Sequence, residues 1–219
     1  QIVKPSKADI SLCYDASFMQ EEKEAYQLEV TDMKITIRAQ MATGIFYGIQ
    51  SLRQLIKSEA GKWIIPKLTI TDYPALSWRS FMLDEGEKVV KQILDEMALL
   101  KMNVFQWHLT DDQGWRIEIK KYPRLTEIGA FRDSTQMEWY ESHHYDGKPH
   151  GGFYTQTQIR SIIKYASERH ITIIPEIEMP GHSAAAIAAY PWLSATGKEI
   201  KVPCNFGVQY DVFNVTDPK

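Results

Sequence analysis

The chain is short of cysteine, of long apolar runs and of excess positive charge, and each shortage narrows what it can be. Only two cysteines occur in 219 residues, Cys13 and Cys204. Their separation matches neither a metal-ligand spacing nor a redox pair, so two buried free thiols are expected, with a single disulfide as the alternative. No apolar stretch approaches the roughly 18 residues of a membrane span. The start QIVKPSK lacks the basic, apolar and small-residue zones of a signal peptide, which leaves a cytoplasmic protein or a mature or trimmed form. Lys and Arg number 25 against 28 Asp and Glu, a formal net charge of −3, and no basic run stands out. This speaks against a nucleic-acid partner. What is present is apolar mass: 44% hydrophobic residues suffice for one large or two small domains. Six tryptophans hint at sugar stacking as much as at core packing.

Residues 1–73 read as a small α/β unit. The segments 27–30 and 34–39 alternate apolar and polar side chains at the period of half-buried strands. Ile45, Ile49, Leu52 and Ile56 recur at helical spacing. Trp63 to Ile70 returns to strand character, and Asp72-Tyr73-Pro74 is turn chemistry marking a boundary. From Ser77 strands and helices alternate. Ser80 to Asp84 is a short apolar run closing on an acid. Val90, Ile93, Leu94, Met97 and Leu100 form a helix face, and Asn103 to Leu109 is the next strand. A polar, aromatic loop over 110–153 leads to Thr155 and Gln158, a capping box opening a further helix. Ile171 to Pro175 is a third strand, and a helix begins at Ala184. This order implies parallel strands with crossover helices. Residues 74–219 are too few for the roughly 250 of a (β/α)8 barrel, so the sequence reads as incomplete.

Acids and histidines gather where the strands end, which in parallel α/β barrels is the catalytic face. Asp111, Asp112 and His182 are the strongest group: a carboxylate bound to one imidazole nitrogen fixes the tautomer, and the other nitrogen can then tune a second acid. The plainer alternative is a loop cap beside a helix start. Glu176 and Glu178 are expected to face opposite ways, leaving one to meet a ligand. Arg79 is a candidate anchor for sugar hydroxyls, or else a simple salt-bridge partner. Trp107 and Trp115 flank the acid pair as a stacking platform or as core. His143, His144 and His150 lack a matching ligand set, so no metal and no cofactor are expected.

Several motifs resemble glycoside hydrolase family 20, the β-N-acetylhexosaminidases, particularly their Bacteroides-type forms. They are Tyr47 to Leu55 (YGIQSLRQL), Tyr73 to Asp84 (YPALSWRSFMLD), Trp107 to Arg116 (WHLTDDQGWR), Gly151 to Thr155 (GGFYT) and Pro175 to His182 (PEIEMPGH). The resemblance implies an α/β chain with a small N-terminal α+β support domain over 1–73 and the first half of a catalytic TIM barrel over 74–219. It implies hydrolysis of terminal GlcNAc or GalNAc from glycans, the substrate's own acetamido group attacking the anomeric carbon, and a periplasmic or cell-surface location. Asp111 and His182 correspond to a relay toward a general-acid Glu. Arg79 and His108 correspond to substrate-binding residues, and Asp112, Glu178 and Trp115 to supporting ones. The family's His-x-Gly-Gly-Asp-Glu motif is absent, and the Arg-His-Phe or Arg-Tyr-Phe that usually follows Gly86 is replaced by Glu87-Lys88-Val89. The chain alone is therefore expected to be inactive, and a non-catalytic sugar-binding relative is the alternative.

Overall fold

The computed structural model describes residues 9–83 and 86–216. Asp84, the acid expected to close the strand from Ser80, lies outside the described residues. The chain divides into two compact units. One holds the residues up to Phe81 together with Gln92–Val104 and Ala166–Thr172; the other holds Met82–Lys91, Phe105–Tyr165 and the residues from Ile173 onward.

The first unit is built on strands β1 (Ile10–Tyr14), β2 (Tyr26–Val30), β3 (Ile35–Ala39) and β6 (Leu68–Asp72), in the order β1-β3-β2-β6. β1 runs parallel to β3, and β2 antiparallel to both β3 and β6. Alternation does what the sequence indicates: Tyr26, Leu28 and Val30 are buried while Glu29 is exposed. Helix α1 (Ala42–Leu55) lays Ile45, Tyr47 and Leu52 on that face to complete the core. Its close approach rests on glycine, since a Cβ at Gly48 would come within 2.5 Å of the Ile37 side chain. Leu28 and Ile37 are wholly buried, each contributing roughly 1.5–3 kcal/mol by leaving water. The single strand expected over 63–70 is two. Pro66 offers no N–H to a ladder and restrains the residue before it, so β5 (Lys62–Ile64) pairs instead with β4 (Lys57–Glu59) in an exposed hairpin, and β6 starts afresh.

In the second part of the chain the alternation is strand β7 (Ser80–Leu83), helix α2 (Glu87–Leu99), strand β8 (Val104–His108), helix α4 (Gln156–Ser167), strand β13 (Thr172–Glu176) and helix α5 (Ala184–Ala189). The three strands form a sheet in the order β13-β8-β7. The Thr172 N–H bonds the Asn103 carbonyl at one end, and the Leu109 N–H bonds the Glu176 carbonyl at the other. β8 and β13 are therefore parallel. The capping box opens α4 as expected: Gln158 Oε1 accepts the Thr155 N–H at 2.9 Å, and Thr155 Oγ1 accepts the Gln158 N–H at 3.3 Å.

The long loop is less irregular than its composition suggests. It holds two short hairpins, β9 (Thr110–Asp111) with β10 (Gly114–Trp115) and β11 (Phe131–Arg132) with β12 (His150–Gly151), and a helical turn α3 (Arg124–Glu127). A core of Trp115, Leu125, Val202 and, from α5, Ala185, Ala186, Ala188 and Ala189 backs this region. Cys13 and Cys204 are free and half-buried, not fully interior. Among the described residues no helix is long and apolar enough to cross a membrane.

Candidate active site

The burial pattern of β8 explains how its end becomes polar. Phe105 and Trp107 are buried, while the alternate residues Gln106 and His108 are half-buried on the other face, as the two-residue period requires. Gln106 Nε2 donates to Glu176 Oε2 at 2.6 Å. Beyond His108 the chain turns through the β9–β10 hairpin. Asp111 is its last paired residue, and Asp112 and Gln113 form the loop.

Asp111 Oδ1 lies 2.9 Å from His182 Nδ1. A carboxylate can only accept, so Nδ1 carries the proton, and Nε2 is the nitrogen left for a third group. Asp112 stands behind this pair. It is wholly buried, its Oδ1 accepts the Ala184 N–H and its Oδ2 the Gln209 N–H, both at 3.0 Å. Its Oδ2 is also 3.5 Å from His182 Nδ1. Desolvation pulls the His182 pKa down. The charge of Asp111, its hydrogen bond, and the charges of Asp112 and Glu178 outweigh that, and the pKa is raised. The His182 backbone has φ of +48°, a left-handed conformation that His visits more readily than most residues. His108 Nε2 is 4.0 Å from Asp111 Oδ2, too far for a hydrogen bond. A cavity of about 490 Å³ opens beside His108, with Arg116, Arg132 and His150 in its wall. Burial, then the charges of Arg132 and Arg116, lower the His150 pKa.

One expectation is corrected. Glu176 and Glu178 do not part: each places a carboxylate oxygen within 4.8 Å of His108 and of the other. Residues two apart on an extended chain share a face, so the expectation of opposite faces was geometrically unsound. Arg79 belongs to the first unit, immediately before β7. There Nε donates to the Lys101 carbonyl, one terminal nitrogen to the Leu76 carbonyl, and the other to Glu24 at 2.7 Å and to the Tyr47 hydroxyl. Four of its five donors are engaged within its own neighbourhood.

The flanking tryptophans are both core. Trp107 packs edge-on against Tyr154 at 4.7 Å, and Trp115 donates its indole N–H to the Ile117 carbonyl at 2.7 Å. Of the loop histidines, His144 lies 3.2 Å from Glu138 and His143 is exposed. Among the described residues, Asp111, Asp112 and His182, and likewise His108, Glu176 and Glu178, bring three donors within metal-binding reach of one another. In the first group both oxygens of Asp112 already accept backbone N–H bonds, so that group is a hydrogen-bond network. Sequence reasoning missed Thr110, whose Oγ1 accepts the Glu178 N–H at 2.8 Å, and Gln209. Neither belongs to a residue type that signals a site.

Residues 76–219 match the family model described as glycosyl hydrolase family 20, catalytic domain, and residues 2–73 match glycosyl hydrolase family 20, domain 2. The chain belongs to glycosyl hydrolase family 20. It is 45% identical over 204 residues to a beta-hexosaminidase of Porphyromonas gingivalis, covering 88% of this chain and 25% of that protein. It is 38% identical to a beta-hexosaminidase of Akkermansia muciniphila, covering 78% of this chain and 34% of that one. Among solved structures, a Bacteroides fragilis beta-N-acetylhexosaminidase superposes with a TM-score of 0.78 at 39% identity, over 95% of this chain and 39% of that one. A Streptomyces plicatus beta-hexosaminidase gives 0.83 at 35% identity, over 96% and 42%. The chain thus spans between a quarter and about two fifths of the length of these family members. Its fold is a family 20 domain 2 followed by part of the catalytic TIM barrel, to which β7, β8 and β13 contribute strands.

Proposed function

We propose that this chain is the N-terminal portion of an exo-acting β-N-acetylhexosaminidase that removes terminal non-reducing GlcNAc or GalNAc from glycoconjugates. In this reading residues 1–73 are a support domain and 74–219 the first half of the barrel. The reaction is substrate-assisted: the acetamido carbonyl of the sugar attacks its own anomeric carbon, and configuration is retained. The observation that carries the reading is the Asp111–His182 hydrogen bond of 2.9 Å at a barrel strand's carboxyl end. With Nδ1 protonated toward Asp111, Nε2 is free to orient and tune a general-acid Glu supplied by a later strand. His108 lies beside the cavity that takes the sugar, Asp112 and Glu178 support His182, and Trp115 holds the hairpin from within the core. No cofactor takes part, and the enzyme works in the periplasm or at the cell surface on exposed glycan ends.

The test is hydrolysis of aryl N-acetyl-β-glucosaminide and galactosaminide by the full-length protein and by these 219 residues alone. The full-length protein is expected to cleave at least one of them with retention, and to do so in the presence of a chelator. The isolated chain, lacking a His-x-Gly-Gly-Asp-Glu motif, is expected to fall short by at least the 10²–10⁴-fold or so that acid catalysis contributes. A full-length protein that binds GlcNAc without cleaving either glycoside would favour the non-catalytic relative instead.

A further inference from the structure

Just ahead of each of β7, β8 and β13, a side chain in the stretch matched to the catalytic domain reaches into the stretch matched to domain 2. Arg79, before β7, donates to Glu24 Oε2 at 2.7 Å and to the Tyr47 hydroxyl at 3.1 Å. Lys101, before β8, donates from Nζ to Asp72 Oδ2 at 2.9 Å and to the Tyr26 hydroxyl at 2.8 Å. His170, before β13, has Nδ1 3.0 Å from Thr43 Oγ1 and its ring against Phe46, with centroids 5.0 Å apart. All of these residues lie in the first compact unit. Lys101 and His170 both have φ of +57°, a conformation in which a side chain is costly and that glycine adopts freely. The turns alone do not call for Lys or His there.

These ties are sheltered. The Arg79 and Glu24 side chains are 17% and 27% exposed, and with Tyr26, Tyr47, Asp72 and Lys101 they wall a cavity of about 160 Å³, where charges are screened less than in open water. Burial pulls the Lys101 pKa down, but its hydrogen bonds to Tyr26 and Asp72 outweigh burial and the pKa is raised. The strands so held begin side by side. The Arg79 carbonyl accepts the N–H groups of Asn103 and Val104 at 3.0 and 3.3 Å, and the Asn103 carbonyl accepts that of Thr172 at 2.9 Å. Asn103 Oδ1 in turn accepts the Arg79 N–H at 2.9 Å. From here β8 runs on to His108 and β13 to Glu176. A reacting group misplaced by about 1 Å loses on the order of 10²-fold in rate, so the seating of these strands bears on the chemistry beyond their far ends.

We propose that Glu24, Asp72 and Thr43 are positioning residues: through Arg79, Lys101 and His170 they let domain 2 seat the amino ends of β7, β8 and β13, and so set the stagger of the strands that lead into the candidate site. The effect on turnover rests on the hexosaminidase reading above; the seating itself does not. The test uses the full-length protein carrying Glu24→Gln, Asp72→Asn and Thr43→Val, singly and together, with amide hydrogen exchange and steady-state hydrolysis of an aryl N-acetyl-β-glucosaminide as readouts. Glu24→Gln is expected to speed exchange at Asn103 and Val104, Asp72→Asn at Met102, and Thr43→Val at Ile171 and Thr172, each roughly three- to tenfold, while the amides of β1 keep their rates. The triple variant is expected to lose kcat roughly ten- to a hundredfold with KM held within about twofold. Should the triple variant fail to fold, the single variants carry both readouts, with a smaller fall in kcat. Unchanged exchange at the strand starts of the folded variants overturns the seating. Faster exchange with kcat per folded molecule intact confines the three residues to stability and refutes their positioning role. A wild-type protein that leaves the glycoside uncleaved overturns the hexosaminidase reading, and exchange alone then decides the seating.

Discussion

Asp111 acts on His182 in two ways at once: it decides which nitrogen holds the proton, and together with Asp112 and Glu178 it stabilises the charged ring. If that ring serves the transition state, Asp111→Asn and His182→Ala in the full-length protein lower kcat more than they raise KM, and steady-state kinetics showing an intact kcat would remove the relay. The raised pKa also fixes a sign. The stabilisation His182 gains from its acids is fully present below its unfolded pKa of about 6.5 and is lost as pH rises through the higher folded value. The stability gap between wild type and His182→Gln, read from urea unfolding, should therefore shrink on going from acid to alkaline pH; a gap that widens would contradict the assignment. The Asp111–His182 pairing was legible in the sequence because both residues stand in motifs whose strand ends converge. Which groups bind the Arg79 side chain was not, because Glu24, Tyr47 and Lys101 lie between 22 and 55 positions away.

The helices α2 and α4 end alike and without glycine. After α2 the Met102 N–H bonds the Met97 carbonyl and the Lys101 N–H bonds that of Ala98; after α4 the Ile171 N–H bonds Ala166 and the His170 N–H bonds Ser167. This is the six-to-one, five-to-two closure whose penultimate residue is left-handed, and Lys101 and His170 both have φ of +57°. Each is retained through its side chain. Lys101 Nζ donates to Asp72 at 2.9 Å and Tyr26 at 2.8 Å, and His170 Nδ1 lies 3.0 Å from Thr43 Oγ1. Alanine loses those contacts and keeps the strain, whereas glycine loses the contacts but relieves it. At both positions, then, alanine should destabilise by about 1 kcal/mol more than glycine does, the reverse of the order inside a helix. Thermal or urea unfolding of the four variants checks this, and alanine equal to or better than glycine would refute it. The helices themselves were readable from their apolar spacing; these ends were not, since nothing in Lys or His announces a left-handed stop. β1 escaped for a related reason. Its inward residues are Ser11 and Cys13 and its outward ones Ile10, Leu12 and Tyr14, so its hydrophobic alternation points the wrong way.

At the scale of the molecule, the strand–helix alternation from Ser80 onward was open to a linear reading, while the compact units were not. The segments Gln92–Val104 and Ala166–Thr172 group with residues before Phe81 through contacts that sequence order does not display. The same holds for Asp112, whose place in the chain says nothing of the burial that gives it its importance. Its two oxygens bind the amide that begins α5 and the amide of Gln209. In hydrogen exchange those two amide protons should share one opening event. Neither can be released without stranding a buried carboxylate half-satisfied, a loss of roughly 1.5–3 kcal/mol, so the first departure raises the chance of the second. Asp112→Ala should then speed exchange at Ala184 and Gln209 together while leaving amides of the β1-β3-β2-β6 sheet unaffected. Independent exchange at the two sites in the wild type would mean that the carboxylate holds them separately. The turn that carries Asp111, the start of the helix after His182 and the segment at Gln209 would, on this account, melt as a single cooperative patch.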